Sequence, residues 1–300
     1  MTPLTDTVEG TGVERMAKAI DIAVDAIASK QNDHRENCDC VRETDIGGAA
    51  EGTARPTVTV VIPTRNEARN LPYVAKRMPP VDQIVVVDGS SVDNTVEVAR
   101  QLWPDALIIN QSRRGKGNAL ACAFEVSTCD IVVMIDADGS TDPAEIPDFV
   151  AALVSGADFA KGSRFTSAGG SDDITQLRRL GNKGLNWLVN QLFATKFTDL
   201  CYGYNAFWRR HLTVLDLPRT DVQEAQWGDG FEIETVINVR VARNGLKIKE
   251  VSSFEGKRIY GRSNLNAVTD GLRVLRTIGR ERRLHRSAPI ASATAPATSR

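Results

Sequence analysis

No apolar run in this sequence approaches the roughly 20 residues that a membrane-crossing helix requires. The longest, VTVVIP and IVVMI, are strand-length and end in polar residues. The opening MTPLTDTVEG lacks the basic-then-apolar order of a secretory leader. Histidine is scarce, at 3. The 5 cysteines (Cys38, Cys40, Cys122, Cys129, Cys201) are scattered and odd in number, which excludes a disulfide scaffold and suits a reducing cytoplasm. Net charge is also nearly absent. Lys and Arg total 37 against 38 Asp and Glu, so no chain-wide field draws the protein to nucleic acid or acidic lipid. What remains is ordinary globular composition, 42% hydrophobic and 25% charged over 300 residues, with enough chain to bury a sizeable core. The expectation is a cytoplasmic chain that does not span a membrane, with room for a peripheral site on its cytoplasmic face.

Residues 1–55 read as an N-terminal extension. Val13, Met16, Ile20, Ala23 and Ile27 recur at helical spacing and predict one amphipathic helix, followed by polar and small-residue linker runs. His34, Cys38 and Cys40 in that extension make a poor soft-metal set of three. Residues 287–300, rich in Ala, Ser, Thr and Pro, read as a disordered tail. The folded body is expected over 56–286 as a single domain. Within it Thr57–Ile62, Gln83–Val87, Ala106–Ile109 and Ile131–Ile135 are short, β-branched and almost continuously apolar, as strands buried on both faces are. Helical patterns over Ala68–Met78, Val92–Leu102 and Gly117–Thr128 alternate with them, which predicts a doubly wound α/β fold with a mostly parallel sheet flanked by helices.

Ligands of such sheets sit outside the carboxyl ends of the strands. All four predicted strands end in polar clusters: Pro63-Thr64-Arg65-Asn66-Glu67, Asp88-Gly89-Ser90-Ser91, Arg113-Arg114-Gly115-Lys116-Gly117 and Asp136-Ala137-Asp138-Gly139-Ser140. Carboxylates, cations and glycines gathered on one edge suit a phosphate ester held with a divalent metal. In the fourth cluster Asp142, Pro143 and Glu145 read as N-cap, first helical position and capping box. That accounts for Asp142 and leaves Asp136 and Asp138 unexplained. Two carboxylates one residue apart after a buried strand repel unless a cation or sugar hydroxyl engages them, and their hard oxygens suit Mg2+ or Mn2+. Asp88 reads as a functional turn acid, Asp93 equally as a helix cap, and Arg114 and Lys116 as candidates for diphosphate contact.

The ordered blocks VTVVIPTRNEARNL, IVVVDGSSVDNT, RGKGNAL and VVMIDADGS resemble the nucleotide-binding half of family 2 glycosyltransferases. KGSRF, LRRLGN, TDLCYGYNAFWRR, GDGFEIET and GRSNL are similar to the polyprenyl-phosphate hexosyltransferase branch, to which dolichol-phosphate mannose synthases belong. The resemblance covers roughly 57–278 and implies a GT-A fold, a nucleotide-sugar donor (GDP-mannose or a UDP-hexose) and inversion by one in-line displacement. It also implies that Pro63, Arg65, Glu67 and Asp88 border the nucleobase pocket, that Asp136 lies near ribose and metal, and that Asp138 is the main protein ligand of the metal. Two positions depart from the family pattern: Val87 precedes Asp88 where paired acids are common, and Asn205 follows Gly203-Tyr204 where dolichol-phosphate mannose synthases tend to carry Arg.

A polyprenyl-phosphate acceptor is already anionic and needs cations rather than a strong base; Arg164, Arg178, Arg179, Arg258 and Arg262 are the candidates. A hydroxyl acceptor in glycan or secondary-metabolite assembly would need a carboxylate base, for which Asp229, Glu232 and Glu234 stand ready, although Glu232 and Glu234 also suit a helix first turn. Val268, Leu272, Leu275 and Ile278 with the surrounding arginines predict a basic amphipathic helix, suited equally to packing on the body and to an anionic bilayer. His211 and His285 read as structural, and Trp187, Trp208 and Trp227 more readily as core than as an acceptor groove. Other classes fit less well. The first strand does not enter the Gly-x-Gly-x-x-Gly turn of a dinucleotide-dependent oxidoreductase, and GKGNAL is no P-loop. A sugar nucleotidyltransferase would open on a Gly-rich loop. The block Gln-x-x-Arg-Trp of processive polysaccharide synthases is missing. A nucleotide-sugar-binding module without turnover is the non-enzyme alternative.

Overall fold

The computed structural model describes residues 55–261 and 267–287. The expected helix over 13–27, the His34/Cys38/Cys40 group, Arg262 and the tail from 288 lie outside the described residues.

The predicted alternation is present: β1 (Val58–Thr64), α1 (Leu71–Arg77), β2 (Gln83–Asp88), α2 (Thr95–Leu102), β3 (Leu107–Asn110), α3 (Lys116–Val126) and β4 (Ile131–Met134). These strands lie parallel in the order β3-β2-β1-β4. Val58, Val60 and Ile62 of β1 face one helical layer, with Phe149 and Val150 of α4 (Ile146–Val154). Val61 faces the other, with Leu120 and Phe124 of α3 and Ile233 and Ile237 of α7 (Ile233–Arg243). Burial on both faces is why the strand reads as an unbroken apolar run; each such side chain contributes about 1.5–3 kcal/mol.

The second half of the sheet was not visible as strands. β5 (Phe159–Ser163), β7 (Asn205–Trp208) and β8 (Ile248–Ser252) extend it to seven strands, with β7 inserted antiparallel between β4 and β5. Two-residue strands β6 (Gly170–Ser171) and β9 (Phe254–Glu255) form a separate ribbon. Long α5 (Gln176–Phe193), short α6 (Leu212–Leu215) and terminal α8 (Ala267–Ser287) complete the described elements.

Two local expectations need correction. Asp142 does cap, accepting a hydrogen bond from Ala144 N at 3.0 Å, but Glu145 closes no capping box: its carboxylate reaches across to Ser253 Oγ and Phe254 N. In α8 the buried face carries Val274, Thr277, Ile278 and Glu281, so Leu272 and Leu275 point outward. Glu281, fully buried, takes Arg240 and Arg243 of α7 at 3.0 Å each, which fixes the helix to the body.

Candidate active site

The register Thr64↔Asp88 and Asp88↔Asn110 brings the strand ends level, so their polar clusters share one edge. A cleft of about 1060 Å³ opens there. It gathers Pro63 from β1, Arg65 and Glu67 from the loop after it, Arg114 and Lys116 from the start of α3, and Asp136 and Asp138 from the loop after β4. Arg164, Arg178, Asp229, Glu232 and Arg258 line it as well, from elements far apart in the chain. Asp88 is not on its wall: Oδ2 accepts from Ser91 N at 3.0 Å, while Oδ1 is buried without a partner. Arg179 is exposed and stands 5.6 Å from the ring of Phe165, off the cleft.

Asp136 and Asp138 do not face each other unpaired, as sequence spacing alone suggested. Lys116 Nζ lies 2.5 Å from Asp136 Oδ1 and 2.7 Å from Glu234 Oε1. Burial opposes charge on this lysine, but the two carboxylates outweigh it and hold its pKa well above the ordinary value. Asp138 Oδ1 accepts from Ser140 N at 3.0 Å, and Oδ2 meets Arg258 Nη2 at 3.3 Å. Arg258 Nη1 also bridges to Glu67 at 3.0 and 3.2 Å, and Arg258 Nε is buried without a partner. Glu67, buried beside β1, has its pKa raised by desolvation despite Asn70 and Arg258.

The glycines of RGKGNAL serve a different end from phosphate cradling. A Cβ on Gly117 would lie 1.8 Å from Gly228 O, and one on Gly115 2.0 Å from Asp229 O. Gly117 N and Asn118 N donate to Asp229 O at 2.8 and 3.2 Å, so the first amides of α3 are used in docking the GDG turn. Only Gly permits this approach.

The base candidates divide clearly. Both Asp229 oxygens are held by Arg113, at 2.7 and 2.8 Å, and Oδ2 also accepts from Gln226 N. Glu232, the residue preceding α7, accepts from Gly228 N and Gly230 N through Oε1 only. Its Oε2 is buried with no hydrogen-bond partner, and Arg273 Nε stands 3.9 Å away. Glu234 falls in the first turn of α7 and is committed to Lys116.

The arginines divide in the same way. Arg164 is 3% exposed in its side chain, forked onto Asp199 at 2.7 and 2.9 Å, with Nη1 on Glu255 at 2.9 Å. Burial disfavours its charge, yet Asp199 and Glu255 hold the guanidinium ionised. Arg178 keeps a single ion pair, with Asp173 at 3.2 Å. Sequence reasoning missed Asp199 and Glu255, and it placed Arg113 in a strand-end cluster and Arg273 on the basic helix without their partners Asp229 and Glu232; Asp199 sits in TDLCYGY, but nothing in the sequence pairs it with Arg164. Asn205, fully buried in β7 between Met134 and Lys161, lies in the sheet core rather than on the cleft wall. Trp208 packs with Nε1 on Ala157 O, whereas Trp187 is 66% exposed and Trp227 lines the cleft. His211 Nε2 pairs with Asp158 at 3.2 Å, as a structural histidine does.

The profile of glycosyl transferase family 2 matches residues 59–215. Over 234 residues the chain is 32% identical to polyprenol monophosphomannose synthase of Mycolicibacterium smegmatis, covering 73% of this chain and 86% of that one. This chain is a family 2 glycosyltransferase. It is also 32% identical to glycosyltransferase AglJ of Haloferax volcanii, over 71% of this chain and 68% of that one. With dolichol-phosphate mannosyltransferase of Pyrococcus furiosus it shares 29% identity, over 71% of this chain and 60% of that one. Among solved structures, glucosyl-3-phosphoglycerate synthase of Mycobacterium tuberculosis with Mn2+, UDP and glucosyl-3-phosphoglycerate superposes with a TM-score of 0.58. Identity there is 23%, over 75% of this glycosyltransferase and 80% of that chain, so the likeness is one of fold, the GT-A arrangement. The same synthase has been solved with Mg2+ and UDP, at a TM-score of 0.59.

Proposed function

We propose that this glycosyltransferase moves a hexose from a nucleotide-sugar, GDP-mannose or a UDP-hexose, to a polyprenyl phosphate by a metal-assisted inverting displacement. The observation that carries this reading is the charge arrangement of the cleft. Two acids at the end of β4 share the cleft with Lys116, which bridges Asp136 and Glu234, with Arg178, and with Arg258, whose contact with Asp138 is 3.3 Å and whose Nε is unmet. Among the described residues no three His, Cys, Asp or Glu converge as a protein-only metal cage. Asp138 and Asp136 would therefore hold Mg2+ or Mn2+ together with oxygens of the donor's diphosphate. The ion, when bound, supplies neutralisation of the charge that develops on the departing nucleoside diphosphate. Pro63, Arg65 and Glu67 would border the base, with Asp88 behind them, off the cleft wall, holding the turn through Ser91 N. Lys116 and Arg258 would contact the diphosphate, and Arg178 and Arg258 the acceptor phosphate. Arg164 serves by holding Asp199 and Glu255 in the wall.

The lipid side draws on the outer surface. Leu177, Leu180 and Trp187 of α5 are 65%, 70% and 66% exposed and share one helical face. Leu272 and Leu275 of neighbouring α8 are 54% and 45% exposed. Arg179, Lys183, Arg276, Arg280 and Arg283 lie on the same two helices, and α5 reaches the cleft through Arg178 in its first turn and α8 through Thr269, Asp270 and Arg273 in its first two. An apolar strip with a basic rim suits an anionic bilayer, which would present the lipid phosphate to the cleft. Among the described residues no helix is long and apolar enough to cross a membrane.

The test is a donor screen with Mn2+ or Mg2+, with and without a short-chain polyprenyl phosphate, following nucleoside diphosphate release. Release from one donor that requires the lipid phosphate is the expected result. Donor binding with no lipid stimulation would favour the second reading, transfer to a hydroxyl, with Glu232 as the base. The Oε2 of that residue, held by no hydrogen bond and 3.9 Å from Arg273 Nε, supports it, and Glu232→Gln would then abolish turnover while leaving donor binding in place.

A further inference from the structure

The segment from Gly256 to Gly261 crosses the carboxyl ends of β1 and β4 as a strap. Gly256 N donates to Ser140 O at 2.8 Å and Ile259 N to Asp138 O at 3.3 Å. Asn70 grips Tyr260 at both backbone groups, donating to its carbonyl at 3.1 Å and accepting from its N–H at 2.9 Å. Arg69 stacks 3.9 Å above the Tyr260 ring. Ile259 packs so closely on the turn that a Cβ at Gly139 would come within 2.7 Å of its Cδ1. The strap is thus anchored independently of Arg258, whose guanidinium is delivered between Glu67 and Asp138.

We infer that Arg258 is a latch on Asp138 that makes binding of a divalent cation depend on the nucleoside diphosphate. The inference rests on Asp138 being the metal carboxylate. Its Oδ1 already accepts from Ser140 N, which leaves Oδ2 as the oxygen without a backbone hydrogen bond to offer a cation, and Oδ2 is where Arg258 Nη2 sits. A cation arriving alone would displace that contact and leave Nη2 facing the cleft, while Nη1 stays on Glu67 and Tyr260 O. Among the described residues Arg258 Nε is already buried without a hydrogen-bond partner, so no further protein acceptor takes up the displaced group. A charged donor pulled off its carboxylate without a replacement is destabilised. A diphosphate changes the balance, because its anionic oxygens can accept from Nη2 and Nε together while also ligating the cation. The two ligands are then coupled through Arg258, and by linkage each tightens the other by the same factor.

Mn2+ affinity, read from the free-ion paramagnetic signal and by calorimetry, tests this without turnover. Arg258→Met and Arg258→Gln are expected to bind Mn2+ alone about tenfold more tightly than wild type, within the usual range of coupling energies. With saturating UDP or GDP the order closes or reverses, because Arg258 then holds the phosphate. Lys257→Met removes an exposed cation from the same cleft and should leave Mn2+ affinity within about twofold of wild type, as screened exposed charges do. Equal Mn2+ affinity in wild type and both Arg258 variants overturns the latch, as does an equal gain in Lys257→Met, which would make the effect one of net charge. In either case abolition of Mn2+ binding by Asp138→Asn leaves the metal reading standing. Mn2+ binding that is indifferent to Asp138→Asn sinks that reading, and the latch with it.

Discussion

The two walls of the cleft hold their cations differently. On the wall built by β5, β7 and α7, Arg164 is enclosed by Asp199 and Glu255, and off the cleft, between β3 and α3, Arg113 is held by Asp229, each with a forked pair of short hydrogen bonds and side-chain exposure of 3% and 5%. On the wall at the ends of β1 and β4, Lys116 and Arg258 each stretch between two acids, at 13% and 20% exposure, and Arg258 keeps a donor unmet. A guanidinium already saturated by carboxylates has little to offer a phosphate, and removing its partner strands a buried charge. A cation such as Arg258, 3.3 Å from Asp138 and with one donor unmet, can be handed to an arriving anion. Arginine count therefore says little about phosphate binding here; what matters is how many of the N–H groups are already taken.

The sharpest contrast comes from Asp138→Asn against Asp199→Ala. The first should lower turnover by about a thousandfold, the scale of losing a preorganised charge-stabilising group, with thermal unfolding nearly unchanged. The second leaves Arg164 buried beside Glu255 alone and should cost about 3–5 kcal/mol of stability, read as a loss of melting temperature and of expression before any kinetic effect. A stable Asp199→Ala protein with selectively weakened acceptor dependence would move Arg164 back among the phosphate contacts.

The readable half of the molecule is the half whose strands are apolar on both faces. VTVVIP, QIVVV and IVVM announce themselves because helices cover both sides, and the polar clusters at their ends follow from topology. β5 and β7 escape notice because FAKGS and NAFW place Lys161 and Asn205, both fully buried, inside the sheet and break the apolar pattern. Periodicity also misassigned the faces of α8, because its buried side includes Glu281, neutralised by Arg240 and Arg243. The site shows the same limit. The carboxylates of β1 and β4 were visible as residues, but the partners that decide their roles come from distant segments; Arg258 meets Glu67 from 191 residues away. No local spacing carries that information.

A smaller effect is expected outside the cleft. Leu180→Glu with Trp187→Glu should reduce binding to phosphatidylglycerol vesicles about tenfold or more, since each buried apolar side chain is worth about 1.5–3 kcal/mol. Nucleotide binding in solution should be untouched, because neither residue reaches the cleft. Sedimentation with vesicles measures the first and calorimetry the second. Unchanged vesicle binding, with loss of a concentration-dependent dimer in light scattering, would assign this face to a second copy of the chain.

The smallest effect concerns Lys161, which is wholly buried yet meets no carboxylate directly, donating instead to Gly162 O at 2.9 Å and Tyr202 O at 2.7 Å. Desolvation lowers its pKa from the ordinary 10.5, and the nearby charges of Asp199 and Glu234 offset this only in part. Between the lowered native value and 10.5 the unfolded chain binds more protons than the folded one. Stability from this group therefore rises with pH across that window and is least below it. Lys161→Met lacks the charge, so the difference in unfolding free energy, wild type minus variant, should climb as pH is raised from neutrality towards 10.5. Denaturant titrations at a series of pH values measure it. A flat difference would mean that the lysine keeps its proton in the fold at no cost, and that two backbone carbonyls suffice to solvate a buried ammonium on this wall as carboxylates do for Arg164.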